Sequence, residues 1–227
     1  MNFKHHFLEK GEGFPLILLH GNSGDMSCFK AQIEEFSKDF HVFALDTRGH
    51  GKSERGEAVF SIKQFADDLA GFMNEHGIEK AHILGFSDGG NIALEFVLKY
   101  PEKVEKLILN GANFVRPGLK FWFNFFTIFV YGLTGIFKKI SKKALAINEM
   151  YGLMVNEPNI SLEELASIKA QTLVIAGTND IVKENHTRLM ADTIPDAKLV
   201  LINGTHSICY KKPREFNAAV RKFLTNN

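Results

Sequence analysis

The sequence has few cysteines, almost no net charge and no long apolar run among its first residues. Its 227 residues include two cysteines, Cys28 and Cys209, which are too few for a disulfide framework and are not spaced as metal ligands. A net charge of +1, from 27 basic and 26 acidic residues, gives no reason to expect a nucleic-acid partner. The first residues lack the apolar core of a signal peptide, so we expect a cytoplasmic protein. Because the nine histidines form no zinc pattern, we expect no metal and no other cofactor.

Short apolar runs alternate with helical patterns along most of the chain. Such runs, without polar alternation, are typical of strands that are covered on both faces. They fall at residues 16–19, 42–45, 81–85, 104–109, 172–176 and 198–202. Ile62, Phe65, Leu69 and Phe72 share one face of a helix for which Ser61 is a suitable N-cap. The alternation predicts one α/β domain with a mostly parallel twisted sheet and helices on both faces.

A G-x-S-x-G pattern, Gly85-Phe86-Ser87-Asp88-Gly89, lies between a predicted strand and a predicted helix. A serine on such a tight turn has a strained backbone that only small neighbours permit, and the turn lifts its hydroxyl clear of the sheet. The following helix points N–H groups and its positive end at the same place. The pattern therefore predicts a nucleophilic serine.

Other polar loops follow predicted strands. His20-Gly21-Asn22 follows the first buried run, and Asp180 and His206 follow the fifth and the last. Sites in parallel sheets form at the carboxyl ends of the strands, so we expect these loops to meet Ser87 at one edge. We expect His20 to bond loop backbone rather than to act as a base. A cysteine nucleophile at Cys209 is an alternative, but that residue is not on a nucleophile turn.

These motifs together resemble the α/β-hydrolase superfamily over nearly the whole chain. The resemblance is greatest to its compact esterase, lactonase and haloperoxidase-like branch, and it implies the roles of nucleophile for Ser87, acid for Asp180 and base for His206. It also implies an oxyanion hole of backbone N–H groups from Asp88 and from Asn22, with Ser23 in reserve. We expect the Asp88 side chain to point outward, to solvent or to a basic residue. Since few residues precede Phe14, the usual N-terminal hairpin is shortened to one strand near residues 4–9.

The alternation breaks between residues 113 and 164, where the family usually carries a lid. We expect a helical lid at 113–164 inserted into a core formed by 1–112 and 165–227. Residues 121–137 are uncharged and rich in phenylalanine, with Lys120 before them and four lysines soon after. The run suits a lid whose apolar face covers the pocket, an interfacial lid at a membrane surface, or, least well, a transmembrane span. We name Phe86, Trp122, Phe125 and Phe126 as candidates for the substrate pocket.

The function we expect is hydrolysis of a carboxylic ester, lactone or thioester through an acyl-enzyme. The partner is a small molecule with an apolar or aromatic group. The same framework also supports carbon–carbon bond hydrolysis or acyl transfer. A non-catalytic receptor that binds a ligand in an inherited pocket is the alternative outside enzymes. The sequence does not determine the substrate or the oligomeric state.

Overall fold

The strands form one sheet of seven in the computed structural model, which describes residues 3–225. Their bounds are β1 Phe7–Lys10, β2 Phe14–Leu19, β3 Phe40–Leu45, β4 Ala81–Phe86, β5 Val104–Asn110, β6 Gln171–Asn179 and β7 Lys198–Thr205. The order across the sheet is β1-β3-β2-β4-β5-β6-β7, with β1 antiparallel to β3 and the other pairs parallel. This confirms the predicted fold class, and β1 is the single strand expected before Phe14.

Helices connect the parallel strands. Their bounds are α1 Lys30–Phe36, α2 Ile62–Glu75, α3 Asp88–Lys99, α4 Phe121–Phe137, α5 Lys142–Asn156, α6 Leu162–Ala166, α7 Glu184–Thr193, α8 Ile208–Lys211 and α9 Pro213–Thr225. Ser61 caps α2 as predicted, because its hydroxyl accepts a hydrogen bond from the Gln64 amide at 3.1 Å. Between β2 and β3 the chain forms a 3-10 turn, Met26–Phe29, followed directly by α1.

Two apolar clusters lie on opposite faces of the sheet. Strand β2 contributes Ile17 and Leu19 to one cluster, which packs under α2, α3 and α7, and Leu16 and Leu18 to the other, which packs under α1 and α9. Successive side chains of a strand point to opposite faces, so an unbroken apolar run is what a doubly covered strand requires. This packing makes the sheet a rigid platform for the loops at its edge.

Each of the polar residues predicted to form the site directly follows the last residue of a strand. His20 directly follows β2, Ser87 follows β4, Asp180 follows β6 and His206 follows β7. Because these four strands are parallel, the four residues emerge at the same edge of the sheet.

Helices α4, α5 and α6 lie between β5 and β6. The first two lie within the segment expected to form a lid, and α6 begins in it and ends two residues past residue 164. A backbone bridge between Val115 and Asn159 joins the two ends of this segment, and one between Leu119 and Val182 ties it to the body. Among residues 3–225, α4 included, no helix has the length and hydropathy needed to cross a bilayer. The division of the chain at residues 113 and 164 stays a prediction.

The faces of α4 are the reverse of what we expected for a lid with an apolar underside. Its buried or half-buried side includes Asn124, Thr127 and Thr134. Its large apolar residues are mostly exposed, among them Phe121 at 81% and Ile136 at 71%. Polar contacts join the inner side to α5, since the Asn148 amide donates to the Tyr131 carbonyl at 2.7 Å and to Thr134 Oγ1 at 3.1 Å.

Candidate active site

Ser87 occupies a sharp turn between β4 and α3. Its backbone angles are φ 54° and ψ −121°, a conformation that non-glycine residues rarely adopt and that costs on the order of 1–3 kcal/mol. The turn needs small neighbours: a Cβ on Gly85 would collide with the Gly89 backbone, and one on Gly89 would collide with the Leu19 carbonyl. This explains the glycines of the G-x-S-x-G pattern.

His206 joins Ser87 to Asp180. Its Nε2 lies 2.9 Å from Ser87 Oγ, and its Nδ1 lies 2.6 Å from Asp180 Oδ1. The three side chains thus form one hydrogen-bonded chain across β4, β6 and β7. Asp180 is an acceptor when ionised, so Nδ1 carries the proton and Nε2 is free to accept the one on Ser87.

The surroundings of the Asp180 carboxylate hold it in place. It is 3% exposed, and its Oδ1 also accepts a hydrogen bond from the Val182 amide at 3.0 Å. Among the described residues, the other oxygen, Oδ2, is buried with no hydrogen-bond partner. The charge of this carboxylate is therefore directed mainly to the imidazole of His206, whose side chain is 16% exposed.

Gly111 lies close to this pair and was not among the residues predicted from the sequence. It follows β5 with φ +60°, and a Cβ there would come within 2.9 Å of the His206 ring and 3.2 Å of Asp180 Oδ2. The absence of a side chain lets the imidazole approach this backbone closely. A glycine that ends a buried strand beside the site was the available signal.

The Asp88 side chain corrects our expectation that it would point outward. It is 7% exposed, and its carboxylate accepts hydrogen bonds from Asn22 Nδ2 at 2.8 Å and Asn91 Nδ2 at 3.2 Å. Burial raises the pKa of Asp88 to about 6, although the bond from Asn22 opposes the shift. The two asparagine side chains supply hydrogen bonds to the buried carboxylate, so it does not depend on solvent or on a basic residue for its partners.

Asn22 has a second bond that ties the insertion to the site. Its Nδ2 also donates to the Met150 carbonyl on α5 at 2.8 Å. The main-chain amides of Asn22 and Asp88 donate none of the hydrogen bonds found among residues 3–225. Both amides are therefore available to a ligand beside Ser87, as an oxyanion hole requires.

His20 has the structural role expected for it. It is 1% exposed; one ring nitrogen bonds the Gly21 carbonyl at 2.7 Å and the other accepts from the Thr47 amide at 3.0 Å. Burial lowers the pKa of His20, which favours the neutral ring. A neutral imidazole can donate one hydrogen bond and accept the other. The ring thus links the loops that follow β2 and β3.

Neither cysteine is placed or activated as a nucleophile. Burial raises the pKa of Cys28 to about 12 and the pKa of Cys209 still further. No group of three metal-ligating side chains occurs within the part of the chain that the structure describes.

A cavity of about 860 Å³ opens beside Ser87 and His206. Of the four pocket candidates, only Phe86 lines it, with its ring centroid 5.0 Å from that of His206. Trp122, Phe125 and Phe126 are 60%, 64% and 49% exposed and lie outside the cavity, which corrects our expectation for them.

Side chains that the sequence analysis did not name complete the apolar wall of the cavity. They are Phe123 of α4, Met154 of α5, Ile181 and Tyr210. Phe123 lies on the same side of α4 as Thr127, four residues on, whose side chain is buried. The helical spacing of the polar residues in α4 was the signal that could have indicated its inner face.

Comparison with known proteins agrees with this geometry. A model of the family described as alpha/beta hydrolase fold matches residues 15–137. The chain belongs to the α/β hydrolase fold family. The protein of Azorhizobium caulinodans provisionally named carbamate hydrolase RutD is 28% identical, over 94% of this chain and 92% of its own.

Two further relatives carry other hydrolase names. The 2-hydroxy-6-oxo-6-phenylhexa-2,4-dienoate hydrolase of Comamonas testosteroni is 30% identical, over 98% of this chain and 92% of its own. The solved structure of Est816, described as an N-acyl homoserine lactone degrading enzyme, superposes with a TM-score of 0.79 at 27% identity and covers 97% of both chains. These names support hydrolase activity in this chain and differ in the bond that is cleaved.

Proposed function

We propose that this protein is a serine hydrolase that cleaves a carboxylic ester, lactone or thioester. Ser87 is the nucleophile, His206 the general base and acid, and Asp180 the residue that orients and stabilises the imidazole. The observation that carries the proposal is the continuous relay of 2.9 Å and 2.6 Å contacts that ends on a strained serine. A serine hydroxyl is a weak nucleophile until such a base takes its proton.

The proposed reaction has two halves. Ser87 Oγ attacks the carbonyl carbon while its proton passes to His206 Nε2, and the imidazolium then protonates the departing oxygen or sulfur as the bond to carbon breaks. Water next attacks the acyl-enzyme and gives a proton to Nε2. Collapse of the second tetrahedral intermediate releases the acid, and the proton returns to Ser87.

The free amides of Asn22 and Asp88 are the proposed donors to the oxyanion. Asp88 opens α3, so its N–H also lies at the positive end of a helix. Loss of one oxyanion donor typically costs about 10²–10³ in turnover. We propose that the bond from the Asn22 side chain to Asp88 holds the two amides in register, which makes Asn22 a positioning residue as well.

Residues 113–164 are the proposed cap over this site. Helix α4 supplies Phe123 and α5 supplies Met154 to the cavity wall. Together with Phe86, these side chains favour an apolar or aromatic acyl group. A series of p-nitrophenyl esters of increasing acyl length tests the preference, and faster turnover of acetate than of longer esters would contradict it.

Carbon–carbon bond hydrolysis is a second candidate function. The relative at 30% identity, whose name is that of a dienoate hydrolase, supports it. A direct comparison of kcat/KM on p-nitrophenyl butyrate and on 2-hydroxy-6-oxo-6-phenylhexa-2,4-dienoate separates the two. A value at least tenfold higher on the dienoate would favour the second function.

The role of Ser87 is tested by labelling. The wild-type protein should react with a fluorophosphonate probe, whereas Ser87→Ala should neither react nor turn over an ester. Thermal unfolding should remain cooperative in the variant, because alanine also fits the turn. Full esterase activity in Ser87→Ala would refute the assignment, and a wild-type protein that the probe leaves unlabelled would favour a binding protein without catalysis.

A further inference from the structure

The outer face of α4 is an apolar stripe that the described residues, 3–225, leave largely exposed. It runs the length of the helix at a spacing of three to four residues and consists of Trp122, Phe126, Phe129, Leu133, Ile136 and Ile140, the last just past the helix end. Each of these side chains is between 46% and 83% exposed. Phe125 and Phe137 widen the stripe and are 64% and 47% exposed. An apolar surface of this length marks an interaction site rather than ordinary scatter.

Lysines surround the far end of this stripe. Lys138 and Lys139 follow α4, Lys142 and Lys143 begin α5, and all four are exposed on either side of Ile140. Lys138 bonds the Asn148 side chain, whereas Lys139, Lys142 and Lys143 form no ion pair with any described residue. We call these four residues the lysine cluster.

The charge of this region is opposite to that of the remaining chain. Residues 120–148 contain five lysines and no acidic residue. Subtracting those five from the 27 basic residues leaves 22 against 26 acidic ones, a net charge of −4 elsewhere. The positive charge is therefore concentrated beside the exposed apolar stripe, which is the pattern of a helix that lies in the interface of an anionic bilayer.

We propose that the outer face of α4, together with the lysine cluster, docks on the surface of an anionic lipid bilayer. The aromatic rings and aliphatic side chains enter the boundary between headgroups and acyl chains, and the lysines contact the anionic headgroups. Helix α4 then lies parallel to the membrane plane, with Phe123 on its inner side still in the wall of the cavity.

The positive charge beside the stripe favours a bilayer, rather than a second copy of this chain, as the partner that covers it. Two copies of α4 packed face to face would place the lysine cluster either beside its own equivalent or beside Lys120 of the other copy. In both arrangements like charges meet, because residues 120–148 have no carboxylate to offer. An anionic surface meets no such repulsion.

The test uses the full-length protein and two kinds of vesicle. One is phosphatidylcholine alone, and the other is a mixture of about two parts phosphatidylcholine and one part phosphatidylglycerol, which supplies the anionic surface. We expect co-sedimentation with the mixed vesicles and little with the neutral ones. Trp122 is the single tryptophan of the sequence, so its emission should shift to the blue as the mixed vesicles are added.

Matched variants separate the contribution of the apolar stripe from that of the lysine cluster. Phe129→Glu combined with Ile136→Glu should abolish binding, whereas Val59→Glu, at another exposed apolar residue, should not change it. Glutamine at Lys139, Lys142 and Lys143 should weaken binding about tenfold or more. Glutamine at Lys4, Lys169 and Lys222, which are exposed elsewhere, is the control of equal charge change and should have a much smaller effect.

Three outcomes would overturn the proposal. The first is a Trp122 emission that the mixed vesicles leave unchanged. The second is equal binding to neutral and anionic vesicles, because charge selects the partner in this proposal. The third is a blue shift that grows with protein concentration without lipid while the mass doubles in light scattering, which would assign the face to a second copy. None of these measurements depends on turnover, so they are independent of the role of Ser87.

Discussion

The Asp88 carboxylate lies 2.8 Å from the Asn22 side-chain nitrogen, immediately beside Ser87. The pair joins the loop after β2 to the first turn of α3, and these are the two segments that carry the proposed oxyanion donors. Burial raises the pKa of Asp88 from 3.8 to about 6. The folded protein therefore holds a proton that the unfolded chain has released between these two pH values.

The first prediction concerns stability against pH. Because the unfolded chain binds fewer protons in this window, the contribution of Asp88 to the free energy of unfolding falls as pH rises from about 4 to about 6. Asp88→Asn removes the ionisation. We expect the free energy of unfolding of the variant, minus that of the wild type, to increase by about 2–3 kcal/mol between pH 4 and pH 7.

Urea unfolding at several pH values measures this difference. An asparagine places one NH₂ against the donors from Asn22 and Asn91, which adds a constant cost. That cost is independent of pH, so it shifts the difference without changing its slope. A difference that stays flat from pH 4 to pH 7 would show that burial does not raise the pKa of Asp88.

The second prediction concerns the strained turn. Ser87→Gly and Ser87→Ala both lose the hydroxyl, but only glycine adopts φ 54° without cost. We expect Ser87→Gly to be more stable than Ser87→Ala by about 1 kcal/mol in urea unfolding. The same pair at Ser167, where φ is −84°, is the control and should show the opposite order. If alanine were the more stable substitution at both positions, the turn at residue 87 would not be strained.

The positions of the polar loops follow from the sequence because parallel sheets leave little choice. Once buried apolar runs are read as strands, each next polar residue must emerge at the carboxyl edge, and Ser87, Asp180 and His206 do so. The burial of Asp88 was not predictable in this way. Its partners Asn22 and Asn91 come from separate segments, and no local pattern indicates that their amides converge.

The faces of α4 were mispredicted for a different reason. A helix that is apolar nearly all round gives a weak amphipathic signal, and we assumed that its aromatic residues would face the pocket. The deciding contacts are polar: Asn148 of α5 bonds Tyr131 and Thr134, and this turns the side of α4 that carries Trp122 away from the body. Which side is covered thus depends on a partner helix more than ten residues further along the chain.

The third prediction concerns Gly111 as a positioning residue. Alanine there has two costs, strain at φ +60° and a Cβ within 2.9 Å of the His206 ring. Gly77 offers a matched control, because its φ is +65° and its Cβ would meet nothing within 4 Å. We expect Gly77→Ala to lose about 1 kcal/mol of stability, and Gly111→Ala to lose at least as much because of the added contact. Only Gly111→Ala should lower kcat, by about 10²-fold, because it displaces the imidazole.

Kinetics on one ester and urea unfolding of both variants provide the measurements. The fall should appear in kcat rather than in KM, since Gly111 lines the relay and not the main cavity. Equal activity in the two alanine variants would mean that the imidazole tolerates the added methyl group, and the close approach would then have no catalytic role.

The fourth prediction compares two phenylalanines of α4, one that lines the cavity and one that does not. Phe123 lines the cavity, whereas Phe126, three residues on, is 49% exposed and lies outside it. Truncation of Phe123 removes apolar surface that an acyl chain would bury, worth about 1.5–3 kcal/mol for a phenylalanine side chain. We therefore expect Phe123→Ala to lower kcat/KM for p-nitrophenyl octanoate about tenfold and to affect the acetate ester much less, and Phe126→Ala to change neither. Equal losses on both esters would mean that Phe123 supports the fold of the insertion rather than the substrate.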